Sequence, residues 1–523
     1  MIRRFMKDRR GNVAMLFGLT AVPVVFAVGA GIDMADVVAA KQRAQIAMDA
    51  AALAANTKTL GLTTEQVAAR ARAAFDANFV GGSASIANFS AVPDGDGTVT
   101  VSADVSVPTS FAPLLGIEEF NFKIAAETRV GEASFDVVMV LDNSGSMDGT
   151  KISTLKTSAK DLTATLLAAN ATGGMADRVK IGIVPFTAFV NVGAENKNAS
   201  WMDVNGLSPL NANNMETTGV SRFALFNQIS GVSWQGCVEA RPYPYDVNDD
   251  PASDATPASL YVPEFAPDEP DEGGYYSYGN WRSYRYSNNW IDDDGGSCTE
   301  SIEEIGTDGH NLKQKRLCKY DGAALSTSSN GVTRGPNYSC KTQPITPLTT
   351  SRTTLDNAVT AMVADGYTNI QQGVAWGWRA LSPGEPFTGG RALDDPAYPG
   401  HRRIMILMTD GANTYEWYDK NPNASKYNAY GYVTEGRAET TDSSWVVHNT
   451  MNARTAETCA NAKSQGGVEI YTIAFQVSDQ STLDMLEDCA TKPSMAYKSD
   501  SNTELTLAFS NIAKEITRLR VSR

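Results

Sequence analysis

The period of the apolar positions changes several times along the chain, and each change marks an element. From Gly11 to Ile32 no charged residue occurs, and twenty-two such residues are enough for a helix to cross a bilayer. Helical spacing then predicts helices over 39–56 and 64–79, with Thr64 near the start of the second. Residues 98–107, TVTVSADVSV, alternate as a half-buried strand does, and 120–130 offers a partner strand. The run 135–141, FDVVMVL, is apolar except for Asp136, which suits a strand buried on both faces of a parallel sheet. A helix with Ile152, Leu155, Leu162, Leu166 and Leu167 follows. Residues 178–192 read as two strands with a break near 185–188. After a long stretch without helical period, helices are predicted over 355–363, 368–381, 447–464, 483–489 and 503–519, with strands over 403–409 and 468–475. Strands alternating with helices mean a parallel sheet wrapped by helices.

The expected fold class is therefore α/β, a doubly wound, mostly parallel and Rossmann-like sheet with a large loop-rich insertion, preceded by a transmembrane helix and a small α+β stalk. The boundaries are 1–11 for a cytoplasmic N-terminus, 12–32 for the transmembrane helix, 33–130 for the stalk and 131–523 for the α/β domain, interrupted by the insertion at 196–344. Arg3, Arg4, Lys7, Arg9 and Arg10 against Asp8 make the leading edge basic, which keeps that end cytoplasmic and exports the rest. A cleaved signal peptide is the alternative, with Ala27 and Gly29 as the small residues. Prepilin-type cleavage after Gly11 would want an acid at the fifth mature residue, and Leu16 stands there. The stalk has no site-like cluster and reads as a spacer.

At 523 residues with 42% hydrophobic content the chain can bury more than one core. A formal charge of −15, with no long basic run beyond the N-terminus, excludes nucleic acid as a partner. The only histidines are His310, His401 and His448, so zinc chemistry based on His is disfavoured. Six cysteines on the exported side fit a disulfide framework. Cys237, Cys298, Cys318 and Cys340 fall in the insertion, where spacing leaves their pairing open and no C-x-x-C pair supports zinc. The insertion reads as long surface loops, rich in Tyr, Trp, Asn, Asp, Pro and Gly, held by sulfur more than by a large core. Its aromatics are either a recognition surface or a small core of their own. Asp246, Asn248 and Asp250 hint at calcium but lack the Gly and closing Glu of a loop site, so a solvated acidic loop is expected.

The candidate chemistry sits at three strand and helix ends. Asp142, Ser144 and Ser146 place a carboxylate and two hydroxyls on alternate residues just after the strand 135–141. Thr368 lies in the run GYTNIQQG at 366–373, and Asp410 ends the apolar strand IMILMTDG at 404–411. In doubly wound sheets ligands bind at the carboxyl ends of strands. These five residues resemble the metal-ion-dependent adhesion site of the von Willebrand factor A family, D-x-S-x-S with a distant Thr and a distant Asp, in the family's order. The leader RRGNVAMLFGL, the Ala-rich segment after it, and 366–383 also resemble the TadG-like proteins of the Tad (Flp) pilus system.

That resemblance implies direct metal ligation by Ser144 and Ser146, direct or water-mediated ligation by Thr368, and water-mediated ligation by Asp142 and Asp410. Oxygen ligands without His or thiolate suit a hard cation, Mg²⁺ or Mn²⁺, and few direct anionic ligands leave it able to accept an Asp or Glu from a protein partner. Thr368 has a second role open to it, since with Gln371 it can form a helix-capping box. Cys459 and Cys489, flanking the strand 468–475, are expected to pair. The implied function is a single-pass adhesion or assembly protein of the bacterial inner membrane, its bulk in the periplasm or outside, meeting pilus components or surface ligands. It is not read as an enzyme. The alternatives are an exported scaffold whose site is structural, and a metal-assisted hydrolase with Asp142 or Asp410 as base, which no Ser-His-Asp, Cys-His or H-E-x-x-H arrangement supports.

Overall fold

The structure is a computed structural model that describes residues 11–56, 63–80, 82–93, 98–129, 134–171, 177–302, 306–325, 333–398, 400–416, 421–442 and 445–517. Residues 1–10 of the expected cytoplasmic segment lie outside that range. The described residues form two compact units, 11–129 and 134–517.

In the first unit the expected span and the helix after it are one uninterrupted helix, α1 (Gly11–Asn56), with Pro23 inside it. The stretch Phe17–Ala55 is long and apolar enough to cross a membrane. Helix α2 (Thr64–Asn78) starts at a capping box made by Thr63 and Gln66. Strands β1 (Ser85–Pro93), β2 (Thr98–Pro108) and β3 (Glu119–Arg129) form an antiparallel sheet in the order β1-β2-β3. The alternation of β2 turns Val99, Val101, Ala103, Val105 and Val107 inward, against Ala44, Ala47, Met48 and Ala51 of α1 and Phe75 of α2. Short alanines on α1 let the helix lie close to the sheet. β1 was missed because its alternation is broken at Ala87–Ser90, where the pairing register shifts.

The second unit is built on β4 (Phe135–Asp142), β5 (Val179–Phe186), β11 (Arg402–Thr409), β12 (Val468–Phe475) and β13 (Ala496–Ser499), all parallel in the order β13-β12-β11-β4-β5. The β5 edge is extended antiparallel by the two-residue strands β6 (Val190–Asn191) and β7 (Cys237–Val238), and β10 (Thr346–Thr349) also pairs with β5. Every residue of β4 is buried. Val138 and Val140 join one core, and Phe135, Val137, Met139 and Leu141 join the core on the other face. The second core also contains Leu155, Leu162 and Leu166 of α3 (Thr150–Leu167), Leu355 and Val359 of α6 (Arg352–Ala361), and Phe509 and Ile512 of α10 (Asn502–Ile516). The first takes Ile370, Val374 and Trp376 of α7 (Ile370–Leu381), Cys459 of α8 (Trp445–Ser464) and Leu486 of α9 (Gln480–Cys489). Helices cover both faces, so the sheet is doubly wound. Asp136, the one break in the apolar run, is buried and neutralised by Arg391, whose Nη1 lies 2.8 Å from Oδ1.

The insertion departs from its reading as surface loops. Its short pieces, which include α4 (Arg222–Gln228) and α5 (Gly306–Lys315), send Trp201, Phe226, Tyr261, Phe265 and Tyr320 into the same core as Trp376 and Val140. Aromatics that converge from separate loops leave no period in the sequence. Apart from Tyr243, the insertion's exposed large aromatics sit on a hairpin of β8 (Gly274–Ser277) and β9 (Asn280–Ser283), where Tyr276, Tyr278 and Trp281 face solvent. Cystines Cys237–Cys340 and Cys298–Cys318 staple the insertion, and Cys459–Cys489 joins α8 to α9. The expected solvated acidic loop is also corrected. Asp246 is buried and accepts from Tyr430 and Arg454, while the carbonyls of Asn248 and Asp250 accept from the Arg241 guanidinium at 3.0 and 2.7 Å.

Two glycines set how closely α7 approaches the sheet. A Cβ on Gly377 would lie 2.5 Å from Val140, and one on Gly373 would lie 2.8 Å from Phe186. Gly377→Val is predicted to destabilise the unit by about 1–3 kcal/mol, the usual cost of overpacking a filled core. The check is the midpoint of urea unfolding, and an unchanged or raised midpoint contradicts this packing.

Candidate metal centre

Three chain segments meet at the carboxyl ends of β4 and β11. β4 ends on Asp142, a short turn (Gly145–Met147) carries Ser146, and α3 begins at Thr150. β11 ends on Thr409 with Asp410 and Gly411 next, and Thr368 lies just before α7. Backbone hydrogen bonds hold the segments together: Gly145 donates to Gly366 at 2.9 Å, Asp365 to Asn143 at 2.9 Å and Thr414 to Thr368 at 2.8 Å. The β4–β11 register sets Leu141 beside Met408, so Asp142 comes level with Thr409.

Asp142 is fully buried and both its oxygens are used by the protein. Oδ1 accepts from the Ser144 amide at 2.7 Å, and Oδ2 accepts from the Thr409 hydroxyl at 2.6 Å. Burial, helped by the charge of Asp410, pushes its carboxyl up to about 6. A carboxylate in that position profits from a nearby cation, because the site is short of positive charge. The Ser144 and Ser146 hydroxyls lie 3.0 Å apart, and Ser146 donates to Asp410 Oδ1 at 2.6 Å. The other Asp410 oxygen accepts from Lys151 Nζ at 2.7 Å.

Four of the five sequence-predicted residues, Asp142, Ser144, Ser146 and Asp410, are therefore linked by hydrogen bonds, and Thr368 faces them across Gly411. A methyl added to Gly411 would stand 3.8 Å from both Ser146 Oγ and Thr368 Oγ1, so the hydrogen of this glycine leaves a space bounded by two of the expected ligands. The donors are hydroxyl and carboxylate oxygens with no sulfur or imidazole among them, which fits a hard cation and not zinc or copper. Beside them the side-chain amide of Asn143 and the hydroxyl of Thr187 are buried without partners among the described residues, the kind of polar group that hydrating water satisfies. On these grounds the residues fit Mg²⁺ or Mn²⁺.

Thr368 is not a helix cap. The N-cap of α7 is Asn369, whose side chain accepts from the Gln372 amide at 3.2 Å. A capping box one residue earlier looks equally good in sequence, and only the helix start decides between them. Lys151 was not singled out in the sequence. It stands in the first turn of α3, where the helix dipole disfavours a cation, so its position there was a signal that a local acid holds it. Thr409 and Gly411 gave no separable signal inside a strand end.

Residues 11–74 match the family model described as "Putative Flp pilus-assembly TadE/G-like". A search of curated proteins gives no match. Among solved structures, the vWF domain of the type V pili tip protein Mfa5 from Porphyromonas gingivalis is similar at 11% identity, over 75% of this chain and 98% of that one, with a TM-score of 0.33. The adhesive tip pilin GBS104 from Group B Streptococcus agalactiae is similar at 9% identity, over 73% and 100%, with a TM-score of 0.34. The pilus adhesin SpaC from Lactobacillus rhamnosus GG is similar at 13% identity over 83% of this chain, which spans only 34% of the SpaC length, with a TM-score of 0.31. At scores of this size the architecture rests on the strand order and register themselves. Residues 11–74 are thus similar to the TadE/G-like Flp pilus-assembly family, and residues 134–517 form a doubly wound α/β unit with a mostly parallel sheet.

Proposed function

We propose that this chain is a membrane-anchored, exported component of a Tad (Flp) pilus system, serving adhesion or assembly, and that it binds a protein partner through a metal held at Asp142, Ser144, Ser146, Thr368 and Asp410. The observation that carries the reading is the convergence of five oxygen-bearing side chains from three segments at the carboxyl end of the sheet, around a buried carboxylate. The match of residues 11–74 to a pilus-assembly family supplies the setting, and the apolar run 12–32 supplies the anchor. The inner membrane, with the bulk of the chain on the exported side, follows from the basic leading edge.

Bound Mg²⁺ or Mn²⁺ would supply an electrophilic centre able to take a carboxylate from the partner. The chain's own residues do the rest. Ser144 and Ser146 present neutral hydroxyls, Asp142 holds the loop that carries them, and Lys151 offsets the charge of Asp410. A hydrolase is disfavoured by the same geometry, because both oxygens of Asp142 already accept hydrogen bonds inside the protein. His401 binds Ser134 at the opposite end of β4, and His448 is engaged by Asn413 and Ser481.

Asp142→Ala is predicted to abolish Mg²⁺ and Mn²⁺ binding while leaving the far-ultraviolet dichroism unchanged. Binding in the wild type should be weak, since Mg²⁺ sheds water reluctantly. Calorimetry giving equal binding by wild type and variant would remove the metal assignment.

The neighbouring residues of α7 separate ligation from capping. Thr368→Val keeps the branched shape and removes the hydroxyl, so it should lose metal affinity and keep stability. Asn369→Ala should do the reverse, keeping affinity and losing about 1 kcal/mol of stability. Titration and urea unfolding of both variants check this, and the opposite assignment of effects contradicts it.

A further inference from the structure

The first unit has an apolar surface that the anchor helix does not account for. The loop 109–117, TSFAPLLGI, carries no charge, and the next charged residue is Glu118. It makes a 3-10 turn (Ala112–Leu115) in which Ala112 is buried while Leu114 is 71% and Leu115 64% exposed, and Ile117 just after it is 42% exposed. Three large aliphatic side chains facing outward on one short loop are more than scattered surface apolarity.

The loop is pinned to α1 inside its apolar half. The Asp33 carboxylate accepts from the amides of Ser110, Phe111 and Ala112 at 2.8, 2.9 and 2.7 Å. The Phe111 ring fills the space beside Gly29, where a Cβ would come within 2.6 Å of it. A groove lined by Ala21, Val22, Val25, Phe26, Phe111 and Leu114 continues toward the N-terminus of the helix. At about 1.5 Å per residue, Ala21 to Phe26 lie roughly 10–18 Å along the helix axis from Asp33, toward the uncharged end. The turn thus runs beside the part of α1 that carries the exposed Val22, Val24, Val25 and Val28.

Most backbone amides of the loop have partners inside the protein. Ser110, Phe111 and Ala112 donate to Asp33, Thr109 donates to Glu118, Leu114 to Phe111, Gly116 to Pro113 and Ile117 to Ala112, and Pro113 has no amide hydrogen. The Thr109 hydroxyl is also satisfied, at 2.7 Å from the Ile117 carbonyl. Irregular backbone survives among acyl chains only when its polar groups find partners inside the protein.

We propose that the turn Ala112–Leu115, with Phe111 and Ile117, is a second membrane-inserting element that lies among the acyl chains of the exported-side leaflet, alongside α1. This rests on the reading of 12–32 as a membrane anchor. The occupant of the surface is lipid: the exposed side chains are aliphatic, the loop has no charge, and the surface is continuous with the face of α1 that meets the bilayer. Asp33 then marks the membrane surface, its carboxylate spent on the loop. The consequence is a stalk fixed at two points, whose orientation to the membrane is set and not free to swivel about one helix.

The test uses the full chain in phospholipid nanodiscs, with single cysteines at Leu114, Leu115, Val24 and Asn121 carrying an environment-sensitive fluorophore. The native cysteines are all in disulfides and leave these positions uniquely reactive. The labels at Leu114 and Leu115 are expected to be quenched several-fold more strongly by nitroxide on the lipid acyl chains than by aqueous iodide, as at Val24, while Asn121 on β3 shows the opposite. Iodide quenching at Leu114 and Leu115 with lipid quenching at Val24 overturns the wedge and leaves the anchor standing. Iodide quenching at Val24 as well overturns the anchor and the wedge with it. Protection of Leu114 from both quenchers, with disulfide cross-linking between unlabelled Leu114→Cys chains, would show that a second copy covers the surface and would also overturn it.

Discussion

The geometry of the candidate site depends on one buried carboxylate. Asp142 ties the turn after β4 to itself through the Ser144 amide and ties the end of β11 to β4 through the Thr409 hydroxyl. Two strands that are neighbours in the sheet are thereby locked at their carboxyl ends, and the two serine hydroxyls and Asp410 come together as a consequence. Burial, with the charge of Asp410, raises the Asp142 carboxyl to about 6, and an acid held that way has a stake in a cation nearby. The Lys151 ammonium, 2.7 Å from Asp410, meets part of that need from the protein's own chain.

The same logic of buried charge with a built-in partner recurs away from the site. Asp136 breaks the apolar run of β4 and is neutralised by Arg391. Glu239, at the start of the insertion's core, meets Arg222 and Arg437. Arg241 is held by backbone carbonyls and stacks over Tyr261 at 4.6 Å. A buried charge left unpaired costs several kcal/mol, so these pairs specify how the insertion packs even where its apolar pattern has no period. The insertion is in this sense a folded extension of the α/β unit, stapled by two cystines and completed by aromatic side chains.

What could be read in advance follows from range. The central strands and the helices between them were legible because burial on both faces leaves unbroken apolar runs, and β12 has the predicted limits of 468–475. The five proposed ligands were legible as a spaced motif; hydrogen bonds join Asp142, Ser144, Ser146 and Asp410, and Thr368 lies across the space at Gly411. The start of α7 was not, since Thr368 and Asn369 are both plausible caps and the choice depends on where the helix packs. The insertion's core was not legible either. Trp201, Tyr261 and Tyr320 meet Trp376 and Phe265 through contacts between residues far apart in sequence, and no local window holds that information. Lys151 shows the intermediate case, close to the motif in sequence but meaningful only once Asp410 stands beside it.

The central claim is that this oxygen cluster holds a hard divalent cation in place of part of the Lys151 interaction. The most direct measurement is a crystal structure of the α/β unit grown with Mn²⁺, read by its anomalous signal. The account predicts one Mn²⁺ at about 2.2 Å from the Ser144 and Ser146 hydroxyl oxygens, near the Mg²⁺–oxygen range, with Lys151 drawn away from Asp410. Saturating Mn²⁺ with no anomalous peak between these hydroxyls, and Lys151 still paired with Asp410, would contradict it.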